Sequence, residues 1–454
     1  MKKVFAFIIM ALPLFVSMIF ISCHHRETKN RPNVLMIIVD SLRQDHLGCY
    51  GYSRNTSPNL DNLAKNSVVF DKMISQAPWT LASNASIFSG RFVHRHGVRT
   101  PHIKIPKNIP LITEVFQKNG YRTACIMACP FLGKVHGFDR GFDFYSNFFE
   151  KFKGKKIKPL TTEEITRKAV RWLDSNYKKS FFLLLYYFDV HYPYEPPYPY
   201  DIMFDSDYQG NVNGKSFFDT ETDPRDVEHV VSLYDGGIRY TDLNIARVLD
   251  ELSKLGLDQN TVIVVTADHG EEFLDHNGKG HGHELWNELL HVPYILYLPA
   301  GKLKGTRVSG YTALIDTAPT LLSMANIPQD SWPAAMDGID LMPAVESGRP
   351  IPIRPIFSEV TRPLGKFDVY HIRSVMTDSQ KFIRYFGKEA KDRLFVLKTD
   401  PFERNNLADQ YPNKVDEFAG LLSLANSDTA PVGGQKATLD KQTEETLKSL
   451  GYLQ

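Results

Sequence analysis

Three short apolar runs in the chain are each followed by polar residues able to bind a metal ion or an anion. The runs cover residues 34–39, 181–188 and 262–265, and they lead to Asp40, Asp189, His191, Asp268 and His269. Runs of this length that are rich in Val, Ile and Leu are typical of parallel strands buried on both faces. Because ligands bind at the carboxyl ends of such strands, we expect Asp40, His191, Asp268 and His269 to converge. A fourth run, residues 294–298, ends at Pro299 without such a side chain.

The segments between these runs predict an α/β domain. From residue 31 to about residue 299, strand-like and helix-like segments alternate, which indicates a doubly wound, mostly parallel sheet between helices. Helix starts are predicted at Ser57-Pro58 and at Thr162, and a long helix over residues 229–255. The preceding residues 201–228 are polar and aperiodic, which predicts a loop.

The pattern changes in the last quarter of the chain. Short strand-like pieces separated by Pro, Gly and charged turns predict a small antiparallel sheet with a helix. They lie near residues 355–360, 372–376, 381–385 and 394–397. We therefore expect a large α/β domain over residues 24–345, a small C-terminal α+β subdomain over 346–425, and a tail with a short helix over 426–454.

The N-terminus resembles an export signal. Residues 1–23 combine a positive start, an apolar stretch and Cys23 after Ser22, which is typical of a lipoprotein signal whose cysteine becomes lipidated. Phe20 departs from the usual pattern, and an uncleaved membrane anchor is the alternative. In either case we expect an extracytoplasmic protein tethered to a membrane. Three cysteines remain, which indicates no disulfide framework.

Composition limits the classes of partner. The chain has 454 residues, 43% of them hydrophobic, with 53 basic and 52 acidic residues and a formal net charge of +1. This length and apolar content allow a sizeable core, and the balanced charge gives no reason to expect nucleic acid. The sequence does not indicate an oligomeric state.

The segment of residues 78–84, Pro-Trp-Thr-Leu-Ala-Ser-Asn, is the candidate reactive centre. Thr80 is predicted as the N-cap of a short helix that Gly90 ends. Its hydroxyl would then lie where backbone N–H groups and the helix dipole favour an anion. Taken by itself, the segment fits a plain capping threonine better than a reactive one.

Six motifs, taken in order along the chain, resemble the sulfatase branch of the alkaline phosphatase superfamily. They lie at residues 33–40, 45–51, 89–98, 189–193, 266–271 and 397–407. The resemblance covers nearly the whole chain and implies an alkaline-phosphatase-like fold. It also implies that Thr80 is the nucleophile, that His191 and His281 act in catalysis, that Asn84 and His283 bind substrate, and that Asp40, Thr80, Asp268 and His269 hold a metal ion.

The implied metal set has a chemical logic. A threonine hydroxyl is a weak nucleophile, and coordination to a divalent cation is one way to generate its alkoxide. Two carboxylates, an imidazole and an alkoxide suit one Mn²⁺ or Zn²⁺ ion, with Ca²⁺ possible but less typical. His281 and His283 are rivals for the same role, and a hydrogen-bonded structural histidine is the alternative for His283, His94 and His96.

Departures from the arylsulfatase pattern bear on the substrate. Arylsulfatases oxidise a Cys or Ser nucleophile to an aldehyde, which the methyl group of Thr80 forbids, and their motif arginine is Asn84 here. The pair Asp268-His269 before Gly270 looks instead like phosphodiesterases and phosphonate monoester hydrolases. The leading hypothesis is a metal-dependent hydrolase or transferase of phosphoesters or phosphonates. The alternatives are a sulfatase acting on sulfate esters and a non-catalytic lipoprotein that binds a glycan. Aromatic residues dense over 186–200 suggest a small-molecule, glycan or lipid-headgroup ester substrate, and packing of these rings against the sheet is the alternative.

Overall fold

An eight-stranded sheet forms the centre of the computed structural model, which describes residues 31–151, 160–216, 218–363, 369–387, 390–427 and 435–449. The strands are β1 Asn33–Val39, β2 Val68–Ile74, β3 Ile103–Lys104, β4 Arg122–Met127, β5 Phe144–Asn147, β6 Phe181–Tyr187, β7 Thr261–Ala267, β8 Glu272–Phe273, β9 Lys279–Gly280, β10 His291–Tyr297, β11 Thr306–Ala313, β12 Ile356–Pro363, β13 Val369–Thr377, β14 Gln380–Phe386, β15 Arg393–Val396 and β16 Gln435–Lys436. The helices are α1 Pro58–Lys65, α2 Thr80–Ser89, α3 Val93–His96, α4 Ile112–Lys118, α5 Thr162–Asn176, α6 Pro224–Lys254, α7 Asn287–Leu290, α8 Thr317–Met324, α9 Met342–Ser347, α10 Pro412–Ser427 and α11 Lys441–Ser449.

The strand order in the large sheet is β11-β2-β10-β7-β1-β6-β4-β5. β1 pairs in parallel with β6 and β7, and every residue of these three strands is buried. This confirms the mostly parallel, doubly wound sheet predicted from the apolar runs. β10 is antiparallel to both of its neighbours, so its carboxyl end lies at the opposite edge. That orientation explains why the fourth apolar run leads to no site residue.

The C-terminal part adds a second sheet in the antiparallel order β12-β13-β14-β15. Its own apolar cluster joins side chains of β13, β14 and β15 to two from α10, Phe418 and Leu422. This confirms the predicted antiparallel α+β region. Further along the chain, β16 pairs with β3 of the large domain, and α11 follows.

The long helix α6 begins five residues earlier than predicted. Asp223 caps it by accepting a hydrogen bond from the Arg225 backbone N–H, and Pro224 occupies its first position. The first turn is polar and partly exposed, which hid it from the apolar periodicity, although Asp-Pro is itself a start signal.

Among the described helices, none is both long and apolar enough to cross a membrane. The predicted signal or anchor, residues 1–23, lies outside the described residues.

Candidate active site

The chain leaves β1 through a constrained turn that presents Asp40. Ser41 adopts a left-handed backbone with φ of +58°, a conformation that costs free energy for a residue with a Cβ. Buried Tyr234 stabilises the turn: its hydroxyl donates to the Ser41 carbonyl at 2.7 Å and accepts from the Arg43 N–H at 2.8 Å. The Ser41 hydroxyl donates to Asp40 Oδ1 at 3.0 Å. The turn and the Ser41 hydroxyl together therefore fix the position of the Asp40 carboxylate.

The end of β7 is joined to the segment that carries Thr80. The backbone carbonyl of Asp268 accepts hydrogen bonds from the hydroxyls of Ser75 and Ser83, both at 2.6 Å. Ser75 directly follows β2, and Ser83 lies one turn into α2. These two contacts hold the first turn of α2 against the strand end that carries Asp268 and His269.

Thr80 is the first residue of α2, and Trp79 is its N-cap, so the N-cap prediction for Thr80 was wrong by one residue. The predicted C-terminal end is confirmed, since Gly90 follows the helix with φ of +66°. The Thr80 side chain is fully buried, and its hydroxyl oxygen lies 3.2 Å from Nε2 of His269. The hydroxyl therefore faces the metal-binding candidates.

Asp40, Asp268 and His269 form a compact buried cluster. One ligand atom from each lies within 4.8 Å of the others; His269 Nε2 is 3.5 Å from Asp40 Oδ1 and 3.6 Å from Asp268 Oδ2. His269 Nδ1–H donates to the Gly270 carbonyl at 2.8 Å, so the lone pair of the imidazole is on Nε2, which faces Thr80 and the two carboxylates. Three donor atoms of these types fit a divalent cation.

The electrostatics of the cluster also fit a cation. Burial and the neighbouring charge of Asp268 raise the pKa of Asp40 well above its usual value, because two carboxylates repel when no positive charge lies between them. Burial lowers the pKa of His269, which keeps its imidazole neutral, as a metal ligand must be.

Tyr186 is a site residue that our sequence reasoning missed. Its hydroxyl lies 2.8 Å from Asp40 Oδ2 and 2.8 Å from Asp268 Oδ2. Burial and both carboxylates raise the pKa of Tyr186 well above its usual value, so the phenol remains a donor. Tyr186 lies near the end of β6, between β1 and β4, within an apolar run that does not distinguish it in the sequence.

His191 and His281 meet beside the cluster. Their rings are 4.9 Å apart between centroids, and the His281 ring is 4.3 Å from that of His269. His191 Nδ1–H donates to the Tyr192 carbonyl at 2.5 Å. His281 Nδ1–H donates to Oε1 of the fully buried Glu271 at 2.8 Å. Glu271 had been assigned no role from the sequence.

Asn84 and His283, both predicted to bind substrate, contact other side chains. The Asn84 amide donates to Asp268 Oδ2 at 3.1 Å and to the Thr80 carbonyl at 2.8 Å, so it orients the cluster. His283 Nε2 lies 2.7 Å from Oε2 of Glu272, which favours a structural role. Asp189 also has a structural contact, because its carboxylate accepts the backbone N–H groups at the start of α5.

The aromatic segment over residues 186–200 is divided between core and surface. Tyr186, Tyr187 and Tyr194 are buried, whereas Tyr198 is 77% exposed. The Tyr194 ring packs edge-on against Tyr234 at 5.9 Å between centroids. The buried rings therefore pack within the domain, and Tyr198 is exposed enough to contact a ligand.

Comparisons of the sequence relate the chain to known proteins. The family model described as Sulfatase matches residues 32–327, and the model described as N-sulphoglucosamine sulphohydrolase, C-terminal, matches residues 282–419. An arylsulfatase of Clostridium perfringens is 26% identical over an alignment that covers 86% of this chain and 94% of the relative.

Two solved structures show the same fold. The phosphonate monoester hydrolase of Agrobacterium radiobacter superposes with a TM-score of 0.73 at 19% identity, over 87% of this chain and 96% of that one. A protein solved in complex with its substrate D-glucosamine-2-N,6-O-disulfate has a TM-score of 0.74 at 19% identity, over 89% of this chain and 100% of that one.

Proposed function

The chain belongs to the sulfatase family, and we propose that it hydrolyses sulfate esters of carbohydrates with Thr80 as the nucleophile. The observation that carries this proposal is the buried Thr80 hydroxyl facing the cluster of Asp40, Asp268 and His269. The named activity of the arylsulfatase relative supports a sulfate ester over the phosphoester that the sequence had favoured. The glucosamine disulfate complex of a structural neighbour supports a sugar as the carrier.

In the proposed reaction, the Thr80 hydroxyl first loses its proton to solvent, and Thr80 Oγ then attacks sulfur while the bond from sulfur to the sugar oxygen breaks. When bound, a divalent cation would lower the pKa of the Thr80 hydroxyl and withdraw charge from a sulfate oxygen. His281 or His191 gives a proton from Nε2 to the departing sugar oxygen, because Nδ1 of each ring is already engaged.

Water then attacks the sulfur of the sulfothreonine and releases inorganic sulfate. The bond from sulfur to Thr80 Oγ breaks; one proton of the water goes to the imidazole that acted as acid, and the other goes to Thr80 Oγ, which regains its hydroxyl while sulfate leaves as the dianion. No aldehyde is needed in this sequence, which is compatible with a threonine nucleophile. The reaction needs a divalent ion, for which we propose Mn²⁺ or Zn²⁺ ahead of Ca²⁺.

A phosphodiester or phosphonate substrate is the second candidate. The specific observation in its favour is Thr80 itself, because a hydroxyl nucleophile suits phosphoryl transfer without prior oxidation. The structural likeness to a phosphonate monoester hydrolase is compatible with it. Both candidates use the same nucleophile and the same cluster.

One experiment separates these candidates. The full chain in detergent is supplied with Mn²⁺, Zn²⁺ or Ca²⁺ and assayed on N-acetylglucosamine 6-sulfate, p-nitrophenyl sulfate, bis-p-nitrophenyl phosphate and a p-nitrophenyl phosphonate. We expect sulfate release that is lost in Thr80→Ala and partly kept in Thr80→Ser, which retains the hydroxyl. Faster turnover of the phosphorus esters would overturn the sulfate assignment. No turnover together with no bound metal would favour a non-catalytic glycan-binding lipoprotein.

We also propose that the protein works outside the cytoplasm, tethered to a membrane through lipidated Cys23. The export-type pattern of residues 1–23 supports this. Metabolic labelling with a radioactive fatty acid should mark the wild-type protein and leave Cys23→Ala unmarked. Equal labelling of both proteins would contradict the proposal.

A further inference from the structure

A cationic groove lies beside the edge strand β11, away from the active-site cluster. It encloses about 600 Å³ and is bounded by β11, the turn after α9 and the segment after β15. Its lining includes five basic residues and one acidic residue: Lys72, Arg307, Arg349, Arg354, Lys398 and Asp378. Such an imbalance is unusual in a chain whose basic and acidic residues nearly cancel.

Two of the five basic side chains are engaged in ion pairs. Arg307 forms an ion pair with Asp71, and Arg354 forms one with Asp316. Within the part of the chain that the structure describes, Lys72, Arg349 and Lys398 enter no ion pair. Lys72 Nζ lies 4.6 Å from the centroid of the Tyr311 ring, so an aromatic face accompanies one of the free charges.

The arrangement of these charges favours an extended polyanion. Lys72, Arg349 and Lys398 lie on three separate segments of the groove wall. A single phosphate binds best where several donors converge, whereas spaced cations match anionic groups repeated along a chain. Charge complementarity of this kind steers and orients ligands.

The edge of β11 is poorly suited to pairing with a peptide strand. Its register with β2 shifts between Val308 and Tyr311, and a bulge interrupts the ladder that an added strand would need. Prolines at 350 and 352 form part of the facing wall. Bulges and basic side chains are devices by which sheets discourage strand addition.

We propose that this groove is an accessory binding site for a sulfated oligosaccharide, the chain that carries the ester cleaved at Thr80. The ligand class rests on the proposed function. Lys72 lies on β2, and Ser75 directly follows β2 three residues later, about 10 Å along the extended chain. The Ser75 hydroxyl bonds to the Asp268 carbonyl. A single oligosaccharide could thus contact both regions.

The test is direct binding of a fluorescein-labelled dextran sulfate oligosaccharide to the full chain, followed by fluorescence anisotropy at low and physiological salt. Arg349→Glu/Lys398→Glu changes two exposed side chains, so folding is not at risk. We expect its dissociation constant to rise about tenfold, and added salt to weaken the wild-type complex. The matched control is Lys107→Glu/Lys118→Glu, an equal charge change near α4. This helix packs on β4, toward the opposite end of the strand order from β11.

An equal loss of affinity in both double variants would contradict the assignment of the groove as the binding site and would indicate unspecific electrostatic attraction. Equal binding of unsulfated dextran, or tighter binding of a polyglutamate peptide with the same dependence on Arg349 and Lys398, would overturn the glycan assignment. Turnover of p-nitrophenyl sulfate should be unchanged in the groove variant, because that substrate is too small to reach both regions. If dextran sulfate binds but no sulfate ester is turned over, the proposed function is wrong and the groove is still an anion-binding site. If sulfate esters are turned over but dextran sulfate does not bind, only the proposed groove is wrong.

Discussion

The hydroxyl of Tyr186 lies 2.8 Å from Oδ2 of Asp40 and at the same distance from Oδ2 of Asp268. A phenol carries one proton, so it can donate to only one of the carboxylates at a time. Its position nevertheless holds both carboxylates in place without placing a charge between them. Tyr186 therefore positions two of the candidate metal ligands, much as hydrogen-bonded neighbours of metal ligands do in general.

We predict that Tyr186→Phe lowers the affinity for Mn²⁺ by about 10- to 100-fold, measured by isothermal titration calorimetry without substrate. Tyr187→Phe is the control, because this buried neighbour on the same strand bonds to Thr166 and not to the cluster. Equal weakening in both variants would mean that the effect comes from general loosening of β6, and would contradict the positioning role.

A second prediction concerns the pairs Glu271–His281 and Glu272–His283. Glu271 accepts Nδ1–H of His281 and so fixes the orientation of that ring, whereas Glu272 engages Nε2 of His283. Glu271→Gln should lower kcat by about 100-fold with KM and Mn²⁺ affinity little changed. Glu272→Gln should leave kcat close to that of the wild type. If the two variants lose kcat equally, His281 has no special place in proton transfer.

The sequence revealed the strand ends better than the contacts between them. Asp40, Asp268 and His269 directly follow buried parallel strands, so the rule that ligands bind at carboxyl ends was enough to bring them together. Tyr186 lies within such a run and looks like any other core residue there. Only the hydrogen bonds of its hydroxyl in the folded structure show that its side chain reaches the cluster.

Contacts that depend on loop geometry could not be predicted either, because they leave no pattern in the sequence. The pairing of Glu271 with His281 requires the short hairpin of β8 and β9, whose two-residue strands leave no periodic pattern. The amide of Asn84 was expected near substrate, but one helical turn brings it back to the Thr80 carbonyl and Asp268.

A third prediction concerns the ion pair between Lys381 on β14 and Glu403 after β15. Nζ and Oε1 are 2.7 Å apart, and the two side chains are 1% and 0% exposed. Lys381→Met leaves a buried carboxylate without its partner and should lower the free energy of unfolding by about 3–5 kcal/mol, as measured in urea. Lys381→Met/Glu403→Gln should recover part of the loss, because the buried charge is gone.

The control for that pair is Lys391→Met, which breaks an exposed pair with Asp409 whose side chains are both 81% exposed. Exposed pairs contribute about 0–1 kcal/mol, so little change is expected. A comparable loss in Lys381→Met and Lys391→Met would show that burial does not set the cost at Lys381.

The fourth prediction is a dependence of stability on pH that arises at His94. Its ring stacks on Phe92 at 5.5 Å and meets Phe357 edge-on at 5.4 Å between centroids, which joins α3 to β12. Burial lowers the pKa of His94 to about 4. The folded protein therefore keeps this imidazole neutral at pH values where the unfolded chain, with a pKa of about 6.5, already binds a proton.

Because the unfolded state binds more protons between about pH 4 and 6.5, the free energy of unfolding should fall as the pH is lowered through this window. Below about pH 4 both states are protonated at His94, and its contribution to the pH dependence ends. His94→Phe keeps an aromatic ring between Phe92 and Phe357 but cannot titrate, so urea denaturation at pH 7.0, 5.5 and 4.5 should show a shallower decline than in the wild type. The exposed-histidine variant His102→Gln should keep the wild-type slope. An unchanged slope in His94→Phe would show that the acid sensitivity arises elsewhere, with buried His96, whose pKa burial also lowers, as the next residue to replace.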